Sequence, residues 1–305
     1  MDLFSDLKKA KRGAIAKTIS IFENDEKESR KLIKKIYKSS GKSMIIGITG
    51  PAGTGKSSLI NRMAIQLKKF GMKPAVLAID PTSHVSGGAI LGDRVRMTES
   101  TDFGTYIRSI PSRGATGAVS RSIRNSVRVL EYAGFDPIII ESVGAGQTEI
   151  GISNIADITI VMFNPHTGDS IQTIKAGITE IGDIYIVNKS DLDGASQLFQ
   201  SVQEFIGNTE KKSLILKMSS KTGDGVPEFL TKLKKLMIKK KKDKKLLEKQ
   251  KLTNELDDII FNNINKKVAE TLLSSKSYSL YLKKVQAKTI DPFEAADNIS
   301  KSILK

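Results

Sequence analysis

The chain has no cysteine, no tryptophan and only two histidines in 305 residues. Without cysteine it can form neither disulfides nor thiolate metal sites, and it is compatible with a reducing cytoplasm. His84 and His166 lie far apart in polar stretches, so neither is expected to bind a metal. A metal-delivery protein needs such ligands, and their scarcity argues against that class. No apolar run approaches the roughly 20 residues that span a bilayer. The first residues, Met1-Asp2-Leu3-Phe4-Ser5-Asp6, carry acidic groups and show no signal peptide. These absences predict a soluble, cytoplasmic protein with no membrane contact.

Charge is far from balanced, at +16. Much of the excess sits in the lysine-rich segment Lys232 to Lys251, which contains neither arginine nor an aromatic residue. Base-reading and strand-stacking surfaces use those residues. The segment therefore reads as a solvated helix face, and nucleic acid is an unlikely partner.

Hydrophobic residues make up 39% of the chain, enough for a substantial core. Seven short apolar runs (44–49, 75–79, 106–110, 138–140, 158–163, 184–187 and 214–216) alternate with helical patterns. Such runs lack polar alternation and predict strands buried on both faces of a mostly parallel sheet flanked by helices. Residues 1–40 read as an N-terminal helical segment, 41–225 as a nucleotide-binding α/β domain, and 226–305 as a C-terminal helical extension. In that extension Leu252, Leu256, Ile260, Ile264, Val268 and Leu272 recur every four residues. The stripe can pack on the chain's own core or against a second copy. Asp291-Pro292 predicts the start of a final helix, with Asp as N-cap.

The chain is organised around Gly50-Pro51-Ala52-Gly53-Thr54-Gly55-Lys56-Ser57, followed by Ser58. It matches G-x-x-x-x-G-K-[ST] between a predicted strand and a helix closed by Gly71. Backbone N–H groups of such a loop cradle phosphates, Lys56 reaches the β- and γ-phosphates, and the Ser57 hydroxyl can ligate Mg²⁺. Asn188-Lys189-Ser190-Asp191 follows the predicted strand 184–187. A carboxylate there accepts from guanine N1–H and the exocyclic amine on one edge, a donor pair adenine lacks. Ser219, Ser220 and Lys221 fall where a second base-contacting loop is expected. The spacing predicts a GTP/GDP site. Asp80, Asp93 and Glu141 lie at or after successive strand ends and are candidate Mg²⁺ ligands with Ser57. Lys56, Asp93, Glu141 and Gln147 are the catalytic candidates. Arg108 and Arg113 either offset phosphate charge or lie on the surface.

Taken together, these blocks resemble the MeaB/ArgK family of phosphate-loop guanine-nucleotide-binding proteins. Asp80-Pro81-Thr82-Ser83, Gly87 to Met97, Glu141 to Glu149 and Asn188 to Asp191 carry the likeness, with Ala14 to Asn24 and Asp291 to Ala296 beyond the nucleotide domain. The resemblance implies a homodimeric GTPase that serves adenosylcobalamin-dependent methylmalonyl-CoA mutase as a chaperone, protecting it and gating cofactor loading. His84 replaces a usual proline, and Pro165-His166-Thr167-Gly168 replaces the usual P-G-A-G before Asp169. The latter region faces the mutase in the family, so the client is the less constrained part of the reading. A related GTPase with another client, transport-associated or nucleic-acid-associated, is the alternative.

Overall fold

A computed structural model describes residues 2–80, 104–111, 116–142, 151–166, 180–207 and 211–303. The N-terminal helices are α1 (Leu3–Lys8), α2 (Arg12–Asn24) and α3 (Glu26–Ile36). Then follow β1 (Ile45–Thr49), α4 (Lys56–Lys69), β2 (Ala75–Asp80), β3 (Tyr106–Pro111), α5 (Thr116–Tyr132), β4 (Ile138–Glu141) and β5 (Ile158–Phe163). The remaining elements are β6 (Ile184–Val187), α6 (Ala195–Gly207), β7 (Leu214–Lys217), α7 (Val226–Lys242), α8 (Lys244–Ser274), α9 (Lys276–Gln286) and α10 (Pro292–Ile303). Each of the seven apolar runs becomes a strand.

The strands form one sheet in the order β3-β2-β4-β1-β5-β6-β7. Every pairing is parallel. After β1 the chain moves to one side for β2 and β3. It then returns through β4 beside β1 and crosses to β5 on the other side. The crevice at the carboxyl end of β1 is thus the reversal point where open α/β sheets bind ligands.

Alternate residues of each strand face opposite layers. Ile46, Ile48, Ile139, Ile160 and Ile186 pack with α4 and α7 on one face, through Leu59, Met63, Phe229 and Leu233. Ile138, Ile140, Leu77 and Ile79 pack on the other face with α5 and with Leu7, Ile15, Ile19 and Ile36 of the N-terminal helices. Val161, Phe163, Tyr185 and Val187 meet Leu198, Val202 and Ile206 of α6. Fully burying one such side chain contributes roughly 1.5–3 kcal/mol, so the sheet is the stable frame on which the connecting loops are set.

Two findings refine the organisation. The N-terminal helices cover a sheet face and share its core. The helical stretch after 225 breaks at Asp243, and contacts divide the chain between Lys249 and Gln250. Helix α7 packs on the sheet through Phe229 and Leu233. In the second unit α9 and α10 pack together, and the Asp291 carboxylate accepts from Phe293 N (2.7 Å) and Glu294 N (3.0 Å) as the predicted cap. Leu252, Leu256, Ile260 and Ile264 of α8 are 40–58% exposed. No described helix is long and apolar enough to cross a membrane.

Candidate functional site

The loop between β1 and α4 needs glycine for two separate reasons. Gly50 has φ +141°, and a Cβ there would lie 2.2 Å from the Met162 carbonyl oxygen of β5. Gly55, at the helix N-cap, has φ +89°, and its Cβ would lie 2.4 Å from Asn188 Nδ2. Thr54 is fully buried, and its hydroxyl donates to the Pro51 carbonyl at 2.9 Å, closing the loop on itself. Ala52 and Gly53 form its exposed rim. Lys56, 7% exposed, turns back into the loop and donates to the carbonyls of Gly50 (2.8 Å) and Pro51 (3.0 Å). Ser57 and the exposed Ser58 follow in the first turn of α4. The first N–H groups of that helix lack partners within it, so a concave loop at this end favours an anion.

Glu141 ends β4, the strand beside β1, and is buried. Its Oε1 accepts from the Ser57 hydroxyl at 2.9 Å. The hydroxyls of Thr49 and Ser142, also at these strand ends, meet at 2.7 Å. Octahedral Mg²⁺ holds oxygens at about 2.0–2.1 Å, which puts neighbouring ligands about 2.9 Å apart. The hydroxyl and carboxylate oxygens of Ser57 and Glu141 therefore suit this hard cation in kind and in spacing. Among the described residues no group of three or more His, Cys, Asp or Glu gathers as a metal cluster. The backbone of Asp80 sits at the carboxyl edge of β2, in register with Pro111. Its side chain, and the whole of Asp93 and Gln147, lie outside the described residues, as do Arg113 and His84.

On the base side, Asn188 follows β6 and is 1% exposed. Its Nδ2 donates to the Thr54 carbonyl at 2.6 Å, and its Oδ1 accepts from Ser220 N (2.8 Å) and from the Ser220 hydroxyl (3.0 Å). One amide thus ties the phosphate loop to both loops expected to hold the base. Lys189 next to it has φ +59°, a left-handed conformation uncommon outside glycine that marks a turn held by its surroundings. Asp191 is exposed, and its carboxyl is held below the ordinary carboxylate range, chiefly by a hydrogen bond from the Ser219 side chain. Lys221 and Lys189 nearby lower it further. An exposed aspartate is ionised at neutral pH in any case, and an ionised carboxylate only accepts. Ser219 and Ser220 are buried, Lys221 is exposed, and Ser190 N donates to the Met218 carbonyl at 3.1 Å, which locks the two loops together.

Other cations fall elsewhere than phosphate chemistry would suggest. Arg108 pairs with Glu23 of α2 at 3.1 Å and donates to the Ser20 hydroxyl, so it fastens an N-terminal helix to the edge strand. His166 contributes its backbone N–H to Asn164 Oδ1 in a turn. Arg62, which belongs to no sequence motif, donates to the carbonyls of Ser220 and Lys221. Only its place on the helix after the phosphate loop hinted at a role.

Residues 15–273 match the model of the family described as methylmalonyl-CoA mutase-associated GTPase MeaB. A provisionally named GTPase of Pyrococcus horikoshii is 38% identical over 313 residues, covering 99% of this chain and 98% of that protein. The Mus musculus protein named methylmalonic aciduria type A homolog, mitochondrial, is 28% identical over 327 residues, covering 98% of this chain and 78% of that protein. A crystal structure described as a LAO/AO transport system kinase shares the fold, with TM-score 0.74 at 21% identity over 99% of this chain and 97% of that one.

Proposed function

We propose that this chain, which belongs to the MeaB family of methylmalonyl-CoA mutase-associated GTPases, is a GTP-driven switch guarding an adenosylcobalamin-dependent mutase. In this reading it protects the mutase and times its cofactor loading. The observation that carries the nucleotide part is the Asn188 side chain, bonded at once to Thr54 and Ser220. It makes phosphate loop and base loops one cradle.

The residues then divide the work. Backbone N–H groups of Gly53, Thr54 and Gly55 and the start of α4 bind the β-phosphate. Lys56 swings from its loop carbonyls to the β/γ-phosphates and neutralises charge that grows as the γ-phosphoryl departs. Ser57 and Glu141 would hold Mg²⁺, with Asp80 and Asp93 as further candidate ligands; the ion supplies charge neutralisation on the phosphate oxygens. Asp191 accepts from guanine N1–H and the amine, while the Lys189 stem braces the ring. Gln147, in the segment after Glu141, is the candidate contact for the attacking water.

The partner and assembly rest on other supports. The family's name associates it with methylmalonyl-CoA mutase. The exposed apolar stripe on α8 favours a homodimer, and the lack of cysteine agrees with a cytoplasmic setting.

Positioning by the phosphate loop and Lys56 alone leaves the transition-state charge under-stabilised, so the chain alone should hydrolyse GTP slowly. An ordered switch or added arginine is worth about 10³–10⁵ in rate. Single-turnover hydrolysis with and without the cobalamin-dependent mutase from the same source tests this. Slow hydrolysis that the mutase accelerates supports the reading. A fast basal rate, or no response to the mutase, overturns the client assignment.

A further inference from the structure

We infer that Arg62 is a positioning residue for base selection: from the phosphate-binding helix it holds the loop that aims Asp191 and Asn188 at the base. The inference rests on the guanine-nucleotide reading of the same site.

Arg62 lies on α4, five positions after Ser57 and on the helix whose first turn faces the phosphates. Its Nε donates to the Ser220 carbonyl at 2.5 Å and its Nη2 to the Lys221 carbonyl at 2.7 Å. Two adjacent carbonyls on one guanidinium edge use the planar fork that lysine cannot reproduce. Bonds from an ionised donor are roughly twice as strong as neutral ones. The guanidinium also lies against Gly223, where a Cβ would be 3.5 Å from Nη1 at a φ of +98°.

The opposite side of this loop is what touches the base-reading residues. Ser220 N and its hydroxyl bond to Asn188, and the Ser219 side chain bonds to Asp191. The loop's own closure is local, through Ser219 N to the Asp224 carbonyl and Gly223 N to the Ser219 carbonyl, both 2.9 Å. Those bonds fix its shape but not its distance from α4. Arg62 adds a direct tie to the body of α4, beside the link through Asn188 to Thr54. Its charge goes to backbone carbonyls 158 and 159 residues away in sequence, so it is not spent on phosphate.

Calorimetry of the full chain with Mg·GDP and Mg·ADP tests this on Arg62→Met, which keeps the length but loses the donors, and on Arg62→Lys. Arg62→Met should weaken GDP about tenfold and ADP less than twofold, with Arg62→Lys recovering part of the loss. Equal weakening of both nucleotides, or an unchanged ratio in a variant that melts like the parent, would overturn the assignment. If Arg62→Met fails to fold, the GDP-to-ADP ratio of Arg62→Lys decides: a lowered ratio supports the role and an unchanged one ends it. A wild-type chain binding both nucleotides alike would instead sink the guanine reading itself, and the inference with it.

Discussion

A lysine ammonium buried as deeply as that of Lys56 loses most of its hydration, and here loop carbonyls replace it. The same two carbonyls are the acceptors it must leave to reach a phosphate, so the group is parked where its task begins. Lys56→Ala should lower single-turnover GTP hydrolysis by about 10²–10³, the usual cost of one transition-state donor. Wild-type turnover in that variant would mean that the loop is not the catalytic site. At the base, the Ser219 side chain bonds to the Asp191 carboxylate and lowers its pKa further below the ordinary range. Asp191→Asn should shift preference toward xanthine nucleotides, because an amide can donate where the carboxylate accepted; competition binding of XDP against GDP reads this directly. Lys56, Ser57 and Asp191 stand out in the sequence as candidates because phosphate and guanine chemistry demand those side chains at fixed spacing. Arg62 does not. Its partners are backbone carbonyls, which any residue supplies, so no residue pattern announces the contact.

Among the elements, strands were more legible than their covering helices. A strand buried on both faces shows itself as an unbroken apolar run, as Ile158–Phe163 does. An amphipathic helix such as α2 shows that it has a buried face but not what that face meets. The docking of α2 on the sheet, through Ile15 and Ile19, emerged only in three dimensions. The lysines of α7 likewise obscured Phe229 and Leu233, which seat that helix on the core. Helix α4 ends as its sequence predicted. Gly71 N donates to the Lys68 carbonyl (2.8 Å) and Met72 N to the Leu67 carbonyl (3.1 Å), with Gly71 at φ +78°. This is the paired bond pattern of a glycine-terminated helix. A Cβ at Gly71 would meet nothing within 4 Å, so only the left-handed backbone opposes a side chain. Gly71→Ala should cost about 1–2 kcal/mol in denaturant unfolding and leave nucleotide affinity unchanged. A neutral result would show that this turn does not constrain the helix end.

Over the whole molecule, the excess positive charge is partly used internally. Lys240 pairs with Asp183 at 3.0 Å, and Lys234 lies over the Phe70 ring. These contacts account for part of the lysine-rich stretch without a nucleic acid. The apolar excess is on α8, where Leu256 is 58% and Ile260 44% exposed. Sequence periodicity located that stripe but left its partner open, since an apolar face can meet the chain's own core or a second copy. Ile260→Asp should convert a dimer to a monomer in sedimentation velocity while GDP binding persists; a parent chain already monomeric would remove this part of the proposal. Nucleotide choice bears most directly on the account, because Asn188, Asp191 and the phosphate loop are argued to form one guanine-reading cradle. The decisive measurement is calorimetric titration of the full chain with GTP and with ATP in the presence of Mg²⁺. One bidentate base contact provides about 1–3 kcal/mol of discrimination, so GTP should bind at least about tenfold more tightly. Equal affinity for the two nucleotides would contradict the account.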